Sequence, residues 1–176
     1  MSGEDYRTFS VTDEVDRLFD ESSRSHGQQP QFVLILGPVA VGKTTLRKKN
    51  YATGYVVVDS AEIFLHMSRD KSYPFPEAFR EPMEVFGRMV ARRAVLERRH
   101  IVTEVIGADA DALKALIQAM TYSGYKVELV FVHCPIEQAV KWNLNRSDDA
   151  ISAHFAECFQ RAWLIEAAKP ECPQGP

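Results

Sequence analysis

The residues with the clearest chemical purpose are two glycines, a lysine and a threonine. Gly37 and Gly42 are separated by four residues, and Lys43 and Thr44 follow directly. This spacing lets several backbone N–H groups turn toward one anion, while the lysine ammonium reaches its oxygens and the threonine hydroxyl reaches a bound cation. The pattern is that of a P-loop, G-x-x-x-x-G-K-[ST], which binds the phosphates of a nucleoside triphosphate.

The segments on both sides support this interpretation. Residues 32–36 are all apolar, which is typical of a parallel strand buried on both faces, and residues 45–50 can open a helix. A strand, a glycine-rich turn and a helix N-terminus are the context that phosphate binding needs. We therefore expect ATP and Mg²⁺ as ligands, with Mg²⁺ on the threonine hydroxyl. The nucleotide-binding residues are expected to be Gly37, Pro38, Val39, Ala40, Val41, Gly42, Lys43, Thr44 and Thr45.

Acidic residues lie at the ends of two further predicted strands. Asp59 follows the β-branched segment 55–58, and Glu104 lies near the end of the apolar segment 101–107. The carboxyl ends of parallel strands share one edge of a sheet, where α/β proteins bind their ligands. Asp59 or Glu62 could act as a base toward a substrate hydroxyl, and either could instead cap the next helix. Glu104 could serve Mg²⁺ at the loop through water, or form a buried structural ion pair.

Two arginines follow the fourth predicted strand, which spans residues 127–132. Arg146 ends the helix after that strand, and Arg161 lies on the last helix. Small kinases carry a lid in this part of the chain, where a guanidinium can stabilise phosphate oxygens during transfer. Arg146 could equally be a cation at a helix C-terminus, and Arg161 could simply face water.

Strands that alternate with helices predict an α/β fold. We expect the three-layer α/β/α architecture of P-loop NTPases, with a doubly wound, mostly parallel sheet of four to five strands. The predicted organisation is an N-terminal arm and helix over residues 1–30, a catalytic domain over 31–168 and a disordered tail over 169–176. Further helices are predicted over residues 82–96, 109–123, 136–145 and 151–163.

The composition of the chain limits the class of protein to which it can belong and the partners that it can bind. The 176 residues are 45% hydrophobic with a formal net charge of −3, values typical of one globular domain. The charge argues against nucleic acid as a partner, although the basic groups at 47–49 and 92–99 keep it open. No apolar segment is long enough to span a membrane, and three widely spaced cysteines favour neither a disulfide framework nor a zinc site. A cytoplasmic location is expected.

Together these segments resemble the zeta-toxin group of small P-loop kinases. The resemblance covers residues 31–165, and its matching pieces are the loop at 37–44 and the segments 56–59, 101–104, 130–135 and 145–146. It implies a kinase that transfers the γ-phosphate of ATP to a hydroxyl of a small metabolite. The family's nucleotide-sugar substrate is UDP-N-acetylglucosamine, and a protein antitoxin is the implied partner.

The resemblance also implies roles for single residues. Asp59 would be the base, Glu104 would serve the metal or substrate, and Arg146 and Arg161 would be the lid arginines. The chain departs from the family where Val105 follows the glutamate, since zeta toxins tend to carry glycine there. Nothing after residue 161 predicts a fifth strand. Other hypotheses are a kinase of an antibiotic, nucleoside or polynucleotide end, a non-kinase P-loop NTPase, and a protein that only binds nucleotide.

Overall fold

The computed structural model describes residues 15–16, 19, 28–67, 80–144 and 153–169. These residues form four strands and six helices, and Val15, Asp16 and Phe19 are also helical. In chain order the elements are β1 (Gln31–Leu36), α1 (Lys43–Asn50), β2 (Tyr55–Val57), α2 (Ser60–Met67), α3 (Arg80–Leu96), β3 (His100–Val105), α4 (Ala110–Tyr122), β4 (Lys126–Phe131), α5 (Ile136–Leu144) and α6 (Ala153–Ala167). The sequence also predicts a loop over residues 69–76, and this loop, Arg146 and most of the expected tail lie outside the described residues.

The described strands form one parallel sheet in the order β2-β3-β1-β4. In the register, Ile35 of β1 lies opposite Glu104 of β3 on one side and Val130 of β4 on the other. The chain leaves β1 toward β2 on one side, but it leaves β3 toward β4 on the other. Neighbouring strands whose connections run in opposite directions leave a crevice at their carboxyl ends, which is where ligands bind in such sheets. The α/β architecture and the parallel sheet are confirmed.

The apolar run of β1 is explained by burial on both faces of the sheet. Val33 and Ile35 pack with Val102 on the face that α1 covers. The opposite face carries a larger core built with α3, α4 and α6, whose members include Phe32, Leu34, Leu36, Phe86, Leu116 and Leu164. Strand β1 is thus fixed between two layers, and the loop that follows it starts from a rigid position.

The start of α4 confirms a local prediction. The side chain of Asp109 accepts a hydrogen bond from the backbone N–H of Ala112 at 3.0 Å, as expected of a helix N-cap.

Two arginines at the end of α3 contact the N-terminal helical residues. Arg93 forms ion pairs with Asp16 and with Glu97, and its guanidinium lies 4.5 Å from the ring centre of Phe19. Arg99 is buried and lies 5.5 Å from the same ring. Two cations therefore hold the N-terminal helical residues against the end of α3 through charge and cation–π contacts.

None of the described helices has both the length and the apolar content that crossing a membrane would require.

Close packing between α3 and α6 generates a test of the fold. Gly87 of α3 faces Trp163 of α6, and a Cβ atom at this glycine would lie 2.5 Å from the indole ring. In an open helix, replacing glycine by alanine stabilises by about 0.5–1 kcal/mol. Here Gly87→Ala should instead lower the free energy of unfolding by about 1–3 kcal/mol, because the added methyl overpacks a buried contact. Urea unfolding measures the change.

The matched control combines Gly87→Ala with Trp163→Leu, which makes room for the methyl group. The two substitutions together should cost less than the sum of their separate effects. Additive effects would mean that the glycine is not required by the indole ring.

Candidate active site

The phosphate loop joins β1 to α1 at the crevice of the sheet. A Cβ atom at Gly37 would lie only 2.6 Å from the carbonyl oxygen of Val132, so the neighbouring strand requires glycine at this position. Ala40 and Gly42 both have positive φ angles, 62° and 97°, and no side chain caps the start of α1. A loop in which positive φ angles recur two residues apart, followed by an uncapped helix N-terminus, presents its backbone N–H groups to an anion. These features fit a phosphate group.

The side chain of Lys43 folds back over the loop. Its Nζ donates hydrogen bonds to the carbonyl oxygens of Gly37 at 2.7 Å and Pro38 at 2.8 Å. The ammonium is therefore held beside the curve of the loop, where phosphate oxygens would be bound.

A hydrogen bond connects the loop to the acidic edge of the sheet. The Thr44 hydroxyl Oγ1, in the first turn of α1, donates to Oε2 of Glu104 at 2.8 Å. A hydroxyl and a carboxylate are hard oxygen ligands, and Mg²⁺ bound with a nucleotide needs only one or two such ligands from the protein. This pair fits that requirement, although no cluster of three His, Cys, Asp or Glu side chains suited to a metal occurs among the described residues.

A buried arginine binds two of the carboxylates. Arg47 Nε donates to Oε1 of Glu104 and its Nη2 donates to Oε1 of Glu62, both at 2.6 Å. Burial alone would lower the pKa of Arg47, but the hydrogen bond and charge of Glu104, together with the neighbouring acids, raise it. The guanidinium is thus a permanent cation between the two glutamates.

Asp59 follows β2 and is almost completely buried. Its Oδ1 accepts a hydrogen bond from the backbone N–H of Glu62 at 2.9 Å, so the capping role considered for it is present at the start of α2. Burial, and then the negative charge of Glu104, raise the pKa of Asp59 from 3.8 to about 6, although the N–H bond and Arg47 oppose this shift. A carboxylate with such a pKa can exchange a proton near neutral pH.

Comparison with known proteins identifies the family of this chain. The family model of the zeta toxins matches residues 15–162. The chain belongs to the zeta toxin family. This is a P-loop family of kinase-like proteins, and membership implies that the chain binds a nucleotide. A search of the curated proteins finds no match.

Two solved structures share the zeta toxin fold of this chain. One comes from the PezAT chromosomal toxin–antitoxin system of Streptococcus pneumoniae, with a TM-score of 0.60 and 16% sequence identity over 82% of this chain and 62% of that chain. The other comes from the Pnkp1/Rnl/Hen1 RNA repair complex, with a TM-score of 0.52 and 16% identity over 82% of this chain and 48% of that chain. This chain therefore spans less than two thirds of the length of either.

The structure brings the three predicted acids together beside the loop, around Arg47. One predicted arginine lies in a different environment from the one expected. Arg161, expected to face water or to reach phosphate, has a side chain that is only 12% exposed. Its Nη1 lies 3.5 Å from Oε1 of Glu157 on the same helix. The expectation of an exposed side chain is wrong, because α6 packs this residue against its neighbour one turn away. A lid role for Arg161 stays a prediction, as does one for Arg146.

Sequence reasoning missed Arg47, which it treated as part of a basic group at residues 47–49. Helical spacing offered a signal: Arg47 is three residues after Thr44, so both side chains lie on the same face of α1. Since the threonine was expected beside Glu104, the arginine could have been assigned to the same carboxylate. This zeta toxin site therefore includes a cation that was not predicted.

The ion pairs of Arg47 generate a test of the site. Arg47→Met leaves the Glu104 side chain, which is only 9% exposed, without its cation. We expect the free energy of unfolding at pH 8 to fall by about 3–5 kcal/mol, the usual cost of removing one partner of a buried pair. Urea unfolding measures it. The loss should shrink in the double variant Arg47→Met with Glu104→Gln, which carries no unpaired charge.

The adjacent Lys48 provides the matched control. Its side chain is 65% exposed, and its Nζ lies 3.8 Å from Oε1 of Glu62. Lys48→Met should therefore change stability by less than about 1 kcal/mol. Equal effects of the two methionine variants would contradict the role given to Arg47.

Proposed function

We propose that this zeta toxin family member is an ATP-dependent kinase that phosphorylates a hydroxyl group of a small metabolite. A nucleotide sugar such as UDP-N-acetylglucosamine is the first acceptor to test. The hydrogen bond from Thr44 to Glu104 carries the proposal, because it joins the phosphate loop to the carboxylates of the neighbouring strands. A phosphate donor and a hydroxyl acceptor would meet at this junction.

The donor half of the proposed site consists of the loop and the start of α1. Backbone N–H groups between Gly37 and Thr45 would bind the β- and γ-phosphates, and the Lys43 ammonium would orient them and balance their charge. Thr44 and Glu104 would hold Mg²⁺, which would supply positive charge to balance that of the transferred phosphoryl group. Arg47 fixes the orientation of Glu104 by binding its other oxygen.

In the acceptor half, we assign the role of base to Asp59. Its Oδ1 is bound to the backbone N–H of Glu62, which orients the carboxylate toward a hydroxyl that its other oxygen could bind. The hydroxyl oxygen would form a bond to the γ-phosphorus while ADP leaves, and the hydroxyl proton would pass to Asp59. Glu62 is less suitable, because one of its oxygens is bound to Arg47.

A protein antitoxin as partner is part of the same proposal. The support is that the pneumococcal structure with this fold comes from a toxin–antitoxin system. A co-expressed protein that binds the chain and stops phosphoryl transfer would meet this expectation, whereas an antitoxin that leaves transfer unchanged would not.

The first experiment incubates the protein with γ-labelled ATP, Mg²⁺ and either UDP-N-acetylglucosamine or a metabolite extract. Label in a small molecule is the expected result. Label released only as free phosphate would replace the proposal with an NTPase, and label on RNA or DNA ends would replace it with a polynucleotide kinase.

Single substitutions then test the assigned roles. Lys43→Ala should reduce transfer by about 10²–10³-fold, because a cation on the transferred phosphate is lost. Asp59→Asn should reduce kcat by about 10²–10⁴-fold with ATP binding retained, because an amide cannot take the proton. Glu62→Gln is the matched control for the base and should stay within about fivefold of the wild type. The opposite order for these two acids would transfer the role of base to Glu62.

The raised pKa of Asp59 predicts the pH dependence of kcat/KM. Below its pKa of about 6 the carboxyl group is mostly protonated and cannot accept the hydroxyl proton, so kcat/KM should rise with pH through a midpoint near pH 6 and level off about one unit higher. Glu62→Gln removes a negative charge that contributes to the raised pKa, so its acid limb should move to lower pH. Steady-state rates between pH 4.5 and 8.5 measure both curves. A wild-type curve that is flat above pH 4.5 would contradict Asp59 as the base.

A further inference from the structure

Helix α6 reaches the ends of both strands that carry the acids of the site. The side chain of Gln160 is buried and lies between the end of β3 and the start of α2. Its amide oxygen accepts a hydrogen bond from the backbone N–H of Ser60 at 3.2 Å and lies 3.4 Å from the Ser60 hydroxyl. Its amide nitrogen donates to the backbone carbonyl of Glu104. One side chain thus connects the residue after Asp59 with the backbone of Glu104.

A second residue of α6 acts one turn earlier. The buried Glu157 accepts, through Oε2, a hydrogen bond from the backbone N–H of Ile106 at 2.8 Å. Ile106 lies two residues after Glu104, where the chain leaves β3. Helix α6 therefore fixes the backbone at Glu104 and immediately beyond it.

The chemistry of the contact explains why an amide is suited to position 160. A backbone N–H can only donate and a backbone carbonyl can only accept, so the bridging side chain must carry both an acceptor and a donor. Glutamine provides both at the end of a chain long enough to reach from α6. An apolar side chain there would remove this partner from both the Ser60 N–H and the Glu104 carbonyl, which weakens the hold of α6 on the two strand ends.

We propose that Gln160 is a positioning residue that sets the separation between the carboxylates of Asp59 and Glu104, and that Glu157 supports it by holding Ile106. This inference rests on the proposed kinase function, in which one carboxylate orients the acceptor and the other serves the metal. A displacement of either carboxylate by about 1 Å would reduce catalysis strongly, by about 10²-fold. Gln160 touches neither the loop nor the phosphates in this mechanism.

The experiment compares Gln160→Met with the wild type in the phosphoryl-transfer assay. Methionine has nearly the same length and volume but cannot form either hydrogen bond. We expect kcat per folded molecule to fall by about 10–100-fold while the KM for ATP stays within about threefold. Gln160→Glu keeps the acceptor for Ser60 and loses the donor to Glu104, so its kcat should lie between the two.

Leu164→Ala is the matched control. Leu164 is fully buried one turn further along α6, so its truncation destabilises the same helix without touching either acid. Its kcat per folded molecule should stay within about twofold of the wild type. The proposal is overturned if Gln160→Met keeps the wild-type kcat, or if Leu164→Ala loses as much.

Amide hydrogen exchange separates this inference from the proposed function. In Gln160→Met the Ser60 amide should exchange faster relative to Val102 in the centre of β3, whereas in Leu164→Ala the ratio should not change. If the wild type transfers phosphate to no acceptor, the kinase proposal fails, and the exchange ratio alone decides whether Gln160 holds the strand ends. An unchanged ratio in Gln160→Met overturns the positioning role.

Discussion

The site depends on how the carboxylate of Glu104 is compensated inside the sheet. A largely buried carboxylate is unfavourable unless it is paired and hydrogen-bonded, and one helix supplies both partners. Thr44 binds one oxygen and Arg47 binds the other, so the helix that starts at the phosphate loop is attached to the neighbouring strand. The orientation of that helix, and hence of its N-terminus, follows from this pairing. The Glu104 carboxylate therefore both stabilises the fold and is a candidate metal ligand.

The charges around this pair give the acids different properties. Three carboxylates, those of Asp59, Glu62 and Glu104, surround one buried guanidinium. Arg47 binds the two glutamates directly, while Asp59 receives only a backbone N–H bond and the more distant charge of the arginine. The acid with the weakest compensation is also deeply buried, and this combination raises its pKa. The raised pKa of Asp59 thus follows from its burial and from the charge of Glu104, which the more distant Arg47 only partly offsets.

The sequence predicted those parts of the fold that are encoded by nearby residues. The loop at 37–44, the strands and the start of α4 depend on spacing and apolar runs, which can be read without a structure. The choice between base and cap for Asp59 could not be made from the sequence; the structure shows the cap, and the role of base stays a prediction. Gln160 bonds to residues at least 56 positions away in the chain, and the spacing of residues within one helix does not show which distant strand ends that helix will meet. For Arg47, helical spacing pointed to Glu104 but not to Glu62 in α2.

This difference between local and distant information also divides the proposed site into two halves. The half that would bind the donor is a short continuous segment, so its pattern can be recognised from the sequence alone. The half that would bind the acceptor is built from the ends of β2 and β3, and α6 holds these ends from the far part of the chain. These contacts form only when α6 packs against the ends of both strands. Nucleotide binding therefore follows from the family, whereas in the proposed kinase the choice of acceptor would depend on how α6 packs against the strands.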